Sequence, residues 1–379
     1  MAPSKLYFPE TYVESREWFR AQLGSISRYW PEAEITSRPL HDHPGLSIDW
    51  IKAPCLSPGK KIIVISTGLH GTEGFTGTAV LQQFIESYSQ ELDPRSTGLL
   101  LVHAMNPWGM YNRRRTNPHN VDLNRNFRIG PGGQVEFLNP SYPALRDLLH
   151  PRKSVKNYQL ETIRFILKLL VIVAMQGRNK VKEAALLGQL DDPQGPNFAG
   201  HIFQEESSII WDLLTATIKN HSLTVHIDVH TGYGASKEMT LVNSVRETVR
   251  PEEWSRRFEY PFVVSADPDA FYSMQGDLID ALYAWGCQNA EQNQYFGTAF
   301  EFGTMGDGLI AQIRSLRAIV LENQIVHEGS GSVLIEKKIR KDFRQLFDPV
   351  SSDWRHTTQK HSSQALAGIL RTFNYIQTN

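Results

Sequence analysis

His70 and Glu73 are two residues whose types and spacing could do chemistry together. They lie three positions apart in the glycine-rich segment Leu69-His70-Gly71-Thr72-Glu73-Gly74. An imidazole nitrogen and a carboxylate oxygen at this spacing can point at one cation, and both are ligand types that zinc accepts. The same pattern also occurs in ordinary surface turns, so a metal site needs support from the rest of the chain.

Two later residues, His230 and Glu301, complete the set of groups that a metal-dependent hydrolase requires. His230 ends the alternating run 224–230, and Glu301 lies among apolar and aromatic neighbours. A carboxylate is costly to bury inside a strand unless it is paired or functional. His70, Glu73 and His230 could supply the three protein ligands of a catalytic zinc site, which keeps one position open for water. Glu301 could then act as the general base that carries a proton from water to a leaving amine.

The segment 113–127 is dense in guanidinium and amide groups and poor in apolar ones. It is either a solvated basic loop or a loop that recognises anions, because arginine binds carboxylates in a two-pronged manner. In the second interpretation, Arg114 or Arg115 would stabilise the charge that develops on a carbonyl oxygen. Asn124 and Arg125 would then hold a carboxylate of the substrate.

Two further carboxylates lie in segments that bear on the site. Asp122 could accept a hydrogen bond from His70 and so fix the tautomer of that ring. Glu322 lies within a helical pattern, in Val320-Leu321-Glu322-Asn323, and is expected to be structural. We therefore predict that Asp122 supports the metal site and that Glu322 does not compete with Glu301 for the role of base.

Four apolar runs typical of buried strands precede or contain these groups. They are 62–66, 99–105, 224–230 and 295–303, and helical spacing follows the first of them over 76–88. Strands that alternate with helices indicate an α/β protein, with a largely parallel or mixed sheet and helices on both faces. The carboxyl ends of such strands meet at one edge, which is where open α/β sheets bind ligands.

The other elements are predicted from the same two periodicities. Strands are expected over 30–36 and 46–53, and a final helix over 362–376. Residues 157–187 are expected to be mostly helical, with a break near Gly177. The sequence contains no internal repeat, no low-complexity segment and no clear linker.

Composition narrows the class of protein. The 379 residues carry a net charge of −1, which implies no bulk attraction to nucleic acid or to anionic membranes. Cys55 and Cys287 are too few and too far apart for a disulfide framework or a cysteine-based zinc site. The N-terminal segment lacks the apolar core of a secretory signal, and the longest apolar run, 166–175, is too short to span a bilayer. We expect a cytoplasmic protein that binds neither nucleic acid nor membrane, in an oligomeric state that the sequence leaves open.

Taken in order, four motifs resemble those of the zinc metallocarboxypeptidase family, the carboxypeptidase A-like clan. Their sequences are closest to an uncharacterised branch of that clan, and the resemblance covers residues 45–330, about three quarters of the chain. The motifs are His70-Gly71-Thr72-Glu73-Gly74, Val121-Asp122-Leu123-Asn124-Arg125-Asn126-Phe127, Asp228-Val229-His230-Thr231-Gly232 and Glu301-Phe302-Gly303-Thr304.

The resemblance implies both a fold and a set of roles. The fold is a three-layer α/β/α arrangement in which a mixed sheet of about eight strands lies between helices. One zinc ion per chain is expected at the carboxyl edge of that sheet, with a peptide or small-molecule substrate that bears a free carboxylate. The residues that match the family's positions are His70, Glu73 and His230 for the metal, Glu301 for the general base, Asn124 and Arg125 for the substrate carboxylate, and Arg115 or its neighbour Arg114 for polarising the carbonyl.

The chain also departs from this family. The tyrosine that folds over the substrate cannot be placed, and Tyr272 and Tyr283 are candidates by position only. Residues 150–190 look like a helical insertion within a single domain that spans 1–379, and this insertion could roof the cleft. An open cleft favours hydrolysis of a C-terminal peptide bond, whereas a roofed pocket favours deacylation of an N-acyl amino acid, as in aspartoacylase-like relatives.

Two other classes of function make different predictions. A catalytically silent binding protein would lack a metal ligand or the base, and all of these residues are present in the sequence. An enzyme with a nucleophilic serine would carry a Gly-x-Ser-x-Gly motif, which the sequence lacks. A zinc-dependent hydrolase of amide bonds is therefore the function that the sequence favours.

Overall fold

A computed structural model describes residues 6–57, 60–128, 139–266, 275–290 and 292–377 of the chain. The strands are β1 (Glu34–Pro39), β2 (Ser47–Ala53), β3 (Lys61–Thr67), β4 (Thr97–His103), β5 (Leu223–Thr231), β6 (Met239–Asn243), β7 (Val263–Ser265) and β8 (Gln294–Phe302). The helices are α1 (Tyr12–Ala21), α2 (Leu23–Ile26), α3 (Gly74–Tyr88), α4 (Pro107–Asn112), α5 (Leu123–Asn126), α6 (Tyr142–Leu149), α7 (Tyr158–Gln176), α8 (Arg178–Leu186), α9 (Glu205–Asn220), α10 (Pro251–Phe258), α11 (Leu278–Asn289), α12 (Leu309–Glu328), α13 (Val333–Phe347) and α14 (Ser352–Thr372).

The strands form one mixed sheet in the order β1-β2-β4-β3-β5-β8-β6-β7. Its centre is parallel, because β3 pairs in parallel with both β4 and β5, and β5 pairs in parallel with β8. Antiparallel pairs join β1 to β2, β2 to β4 and β6 to β8. The predicted mixed sheet of eight strands is confirmed, and its four central parallel strands all end at the same edge.

Apolar side chains cover both faces of this sheet and give it helical layers on each side. Ile63 and Ile65 of β3 pack on one face with Phe84 of α3. The alternate residues Ile62 and Val64 pack on the other face, in a cluster that also contains residues of α9 and α11. Strands buried on both faces read as nearly continuous apolar runs, which is why the central strands could be predicted from sequence.

The pairing register places the chemically important side chains of two strands beside each other. His230 of β5 lies opposite Glu301 of β8, and Ser66 of β3 lies opposite Asp228 of β5. Because successive side chains of a strand point to opposite faces, Asp228 and His230 share one face of the sheet.

The ends of several elements differ from the prediction. The first strand was expected over 30–36 but runs from Glu34 to Pro39. Trp30 was predicted to begin this strand but lies in a turn before it. Its ring is buried and its indole N–H donates to the carbonyl of Thr97, so it anchors that turn. The last helix begins at Ser352, ten residues before the predicted start, and Ser351 caps it. The first half of this helix consists mainly of polar residues, so apolar periodicity does not reveal it.

The helical segment after residue 150 forms as predicted. Helices α7 and α8 meet at Gly177, whose φ of +84° belongs to a region that favours glycine. Their buried residues pack with α6 and with Val320 of α12 in a separate apolar cluster. No helix in the described ranges is long and apolar enough to cross a membrane.

Candidate active site

Three side chains converge where β3 and β5 end. His70 follows β3, Glu73 closes the short turn after it, and His230 lies near the end of β5. Their potential ligand atoms all lie within 4.8 Å of one another. The two carboxylate oxygens of Glu73 face the two rings, at 3.0 Å from Nδ1 of His70 and 3.1 Å from Nδ1 of His230.

The turn that carries His70 and Glu73 is held against helix α4. A Cβ atom at Gly71 would lie only 2.1 Å from the carbonyl carbon of Gly109, so no other residue fits there without moving the backbone. The amide of Thr72 donates to the carbonyl of Arg114 at 2.9 Å, which fixes the turn from the other side. The glycine of the motif is therefore required for close packing of backbone on backbone.

Both imidazoles are oriented by a carboxylate behind them. Nε2 of His70 lies 3.0 Å from Oδ1 of Asp122, the contact that the sequence analysis predicted. Nε2 of His230 lies 2.7 Å from Oδ2 of Asp228. This role of Asp228 was not predicted, although its position two residues before His230 on one strand face was the signal for it. With both Nε2 atoms occupied, both Nδ1 atoms are left to face the centre of the site.

These residues fit a zinc ion in chemistry as well as in placement. Two imidazole nitrogens and one carboxylate form a ligand set of catalytic zinc sites. Nδ1 of His70 is buried and makes no hydrogen bond of good geometry, although a carboxylate oxygen of Glu73 lies 3.0 Å away. A buried polar atom left in this way is costly unless something binds it. Burial would raise the pKa of Glu73, but the imidazoles of His70 and His230 lower it to about 2. Glu73 is therefore a carboxylate at neutral pH, as a ligand must be.

Replacing Asp122 with asparagine is expected to weaken zinc binding by about 10- to 100-fold, because the carboxylate that orients His70 is lost. Competition with a chelator of known affinity measures this effect. Asp49→Asn is a matched control, since Asp49 is also buried and paired with an arginine, but its partners are Arg16, Arg20 and Ser47 and not a metal-binding residue. Equal zinc affinities for the two variants would show that Asp122 does not support the metal site.

Glu301 lies beside this cluster and is buried, with 7% of its surface exposed. One of its oxygens accepts a hydrogen bond from the backbone N–H of Tyr233 at 2.9 Å. Burial, and next the negative charge of Glu73, raise the pKa of Glu301 to about 8. A carboxyl group with such a pKa can both take up and release a proton near neutral pH, as a general base that later acts as an acid must.

The structure separates the two candidate arginines. Arg115 lines the cavity, pairs with Asp122 and donates to the side-chain oxygen of Asn197 at 2.9 Å. Arg114 does not line it. Its Nε lies 3.3 Å from Glu322, and its Nη2 donates to another side chain at 2.9 Å. Arg114 is therefore withdrawn as a candidate for polarising a carbonyl, and Glu322 has its partner outside the site.

Asn124 and Arg125 also line the cavity. The side-chain oxygen of Asn124 accepts from the amide of Leu278 at 3.0 Å. Arg125 is only 1% exposed and donates to the carbonyl oxygens of Leu186 and Asn124, at 2.8 and 3.0 Å. These contacts hold both side chains at the cavity wall, and their role in binding a carboxylate stays a prediction.

Of the two tyrosine candidates, the one that the structure describes is not at the site. Tyr283 is buried in α11, where its hydroxyl donates to Glu247 at 2.7 Å, so the proposal that it covers the substrate is wrong. Tyr272 lies outside the described residues. Tyr233, which the sequence analysis did not consider, lines the cavity beside Glu301.

One cavity of about 580 Å³ is lined by most of the candidate site residues. They are His70, Glu73, Arg115, Asn124, Arg125, Asp228, His230, Tyr233 and Glu301, whereas Asp122 and Arg114 do not line it. This volume is typical of small-molecule sites. Its wall continues from the sheet edge to helices α7 and α8, so the helical segment that looked like an insertion forms part of the cavity wall. Two buried imidazoles, one ionised carboxylate and one carboxyl group of raised pKa thus line a single cavity.

A family model for proteins of unknown function (DUF2817) matches residues 8–361, and the chain belongs to that family. A search of curated proteins found no match. Among solved structures, the chain is similar to bovine thrombin-activatable fibrinolysis inhibitor in complex with tick carboxypeptidase inhibitor, at 15% identity over 88% of this chain and 98% of that one, with a TM-score of 0.45.

Two other solved structures are similar to the chain. Carboxypeptidase A from Helicoverpa armigera is 13% identical over 92% of this chain and 74% of that one, with a TM-score of 0.43. Succinylglutamate desuccinylase from Chromobacterium violaceum is 14% identical over 78% and 73%, with a TM-score of 0.36. At these identities, the activity has to be inferred from the site itself.

Proposed function

We propose that this protein is a zinc-dependent hydrolase that cleaves an amide bond next to a carboxylate-bearing residue. The observation that carries this proposal is the convergence of His70, Glu73 and His230 with Glu301 in one cavity. The three ligand residues would hold the zinc ion through Nδ1 of each ring and the carboxylate. When bound, zinc supplies a Lewis acid that activates water and polarises a carbonyl group.

The chain's own residues perform the proton transfers. Glu301 takes a proton from the attacking water, whose oxygen forms a bond to the carbonyl carbon. The carbon–nitrogen bond then breaks, and Glu301 passes the proton to the leaving amine. Arg115 donates hydrogen bonds to the carbonyl oxygen as negative charge develops there. Asn124 and Arg125 hold the carboxylate of the leaving amino acid.

Two substrate classes fit this chemistry: peptides with a free C-terminus and N-acyl amino acids. The cavity wall formed by α7 and α8 favours the second class, since a pocket bounded by these helices accommodates a small amide better than a long peptide. The proposal is therefore an amidohydrolase that releases an amino acid, with carboxypeptidase activity on short peptides as the second candidate.

Elemental analysis of the purified wild type and of His230→Ala tests the metal site directly. We expect about one zinc per chain in the wild type and loss of that zinc in the variant. His150→Ala is a matched control, because His150 is also buried and bonded to an aspartate but lies outside the cavity. It should retain the metal.

Folded wild type that binds no zinc would overturn the hydrolase proposal and favour the non-catalytic binding protein. With zinc bound, hydrolysis of N-acyl amino acids is compared with that of dipeptides. Turnover of neither class would again favour a binding protein.

A further inference from the structure

The cavity does not end at the site residues. It continues between helices α7 and α12, along a stretch of wall whose side chains are mainly apolar. We call this stretch the apolar arm. Its wall contains Leu169, Leu170, Val173, Leu309, Ile313 and Leu316.

The apolar arm opens on an exposed apolar face. Leu170 and Leu309 line the cavity, yet 56% and 51% of their surfaces are exposed. Leu167 and Val171, one turn before Leu170 and next to it on α7, are exposed as well. A contiguous patch of exposed apolar residues is a common feature of binding surfaces. Because Leu170 belongs to both surfaces, the exposed face and the interior of the cavity are continuous.

The chemistry of the wall discriminates between possible occupants. A peptide would bring one N–H and one C=O group per residue into the arm, and each would need a partner there. Among the polar residues of the adjoining wall, Arg178 and Gln312 are exposed to solvent and Ser315 is half-buried. A hydrocarbon chain needs no polar partner and gains free energy with each methylene that leaves water.

We propose that the apolar arm binds a long, unbranched acyl chain, so that the substrate is an amino acid acylated on nitrogen by a fatty acid. This inference rests on the proposed function and specifies its substrate. The carboxylate of the amino acid lies at Arg125, the amide bond lies between His230 and Glu301, and the acyl chain runs into the arm. Hydrolysis of that bond by water yields a free fatty acid and a free amino acid.

A series of N-acyl amino acids of increasing chain length tests this assignment. Each buried methylene is worth about a 4-fold gain in binding. We therefore expect kcat/KM to rise by about 100-fold or more from the N-acetyl to the N-lauroyl substrate, since only part of the chain has to be buried for this gain. A flat series would overturn the inference and leave the proposed hydrolase intact.

Substitutions in the arm should change the preference for chain length. Val173→Trp narrows the arm and Leu170→Glu places a charge at its mouth, so both should lower the lauroyl-to-acetyl ratio of kcat/KM by about 10-fold. Leu334→Glu is the control, since Leu334 is 78% exposed on α13 and does not line the cavity. An unchanged ratio in both arm variants would contradict the assignment.

Binding of laurate to zinc-free protein provides a readout that does not depend on hydrolysis. Displacement of a fluorescent fatty acid by laurate should weaken in the Val173→Trp and Leu170→Glu variants and stay unchanged in Leu334→Glu. Arm-dependent binding of laurate without hydrolysis of any amide would defeat the proposed function but not the acyl site. If laurate does not bind and Leu170→Glu instead changes the oligomeric state in light scattering, the face is an interface between copies of the chain.

Discussion

Replacing Glu301 with glutamine is expected to lower kcat for amide hydrolysis by about 10³-fold while leaving the zinc content unchanged. Glutamine has the same size and can still accept the hydrogen bond that the amide of Tyr233 donates to position 301. It cannot take a proton from water or return one to the leaving amine. Steady-state kinetics with an N-acyl amino acid, together with elemental analysis of the same sample, measures both quantities.

Glu322→Gln is the matched control for this variant. Glu322 is also a buried carboxylate, but it pairs with Arg114 and lies outside the cavity. Its replacement should leave kcat within a few-fold of the wild type, with any effect appearing in the thermal unfolding temperature. A Glu301→Gln variant that keeps its zinc and most of its activity would show that another group carries the proton.

The convergence of the site could be predicted because it follows from the topology of a parallel sheet. His70 and His230 each follow an apolar run, and Glu301 lies within one. Once those runs form neighbouring parallel strands, their carboxyl ends meet at one edge, whatever the lengths of the connections between them. The types of these side chains then indicate the chemistry of the site, and the motifs give the order of the site residues along the chain.

The details that depend on distant partners could not be predicted. Arg114 and Arg115 are adjacent in sequence, yet one side chain turns to Glu322 and the other to Asp122. Neither partner is identified by a local pattern, so the choice is made by packing alone. The position of Tyr283 in the core was missed for the same reason, because its hydroxyl is satisfied by Glu247.

The wall of the cavity was predicted only in outline. Helical periodicity indicated α7 and the break at Gly177, but not which face of α7 would meet the site. Leu160, Leu167 and Leu170 belong to the apolar face that the helical periodicity indicates, and the structure leaves all three exposed. An apolar face that stays in solvent has the same sequence pattern as one that packs in a core, and only the structure distinguishes them.

In zinc-free protein, Glu301→Gln is expected to be more stable than the wild type by about 4 to 5 kcal/mol at pH 8, and the difference should shrink to about 1 kcal/mol at pH 5. The folded protein holds the pKa of Glu301 at about 8, mainly through burial, whereas the unfolded chain has a glutamate pKa of about 4.3. Between these two values the folded state binds the additional proton. The stability of the wild type therefore falls as the pH rises, and glutamine removes this dependence.

Urea unfolding of both proteins in the presence of a chelator, at several pH values from 5 to 8, measures this difference. Glu34→Gln, which removes an exposed carboxylate of β1, should follow the pH dependence of the wild type. Parallel curves for the wild type and Glu301→Gln would show that Glu301 does not have a raised pKa in the folded protein. The expected divergence would show that the burial which makes Glu301 basic enough for proton transfer also destabilises the fold, as it often does at active sites.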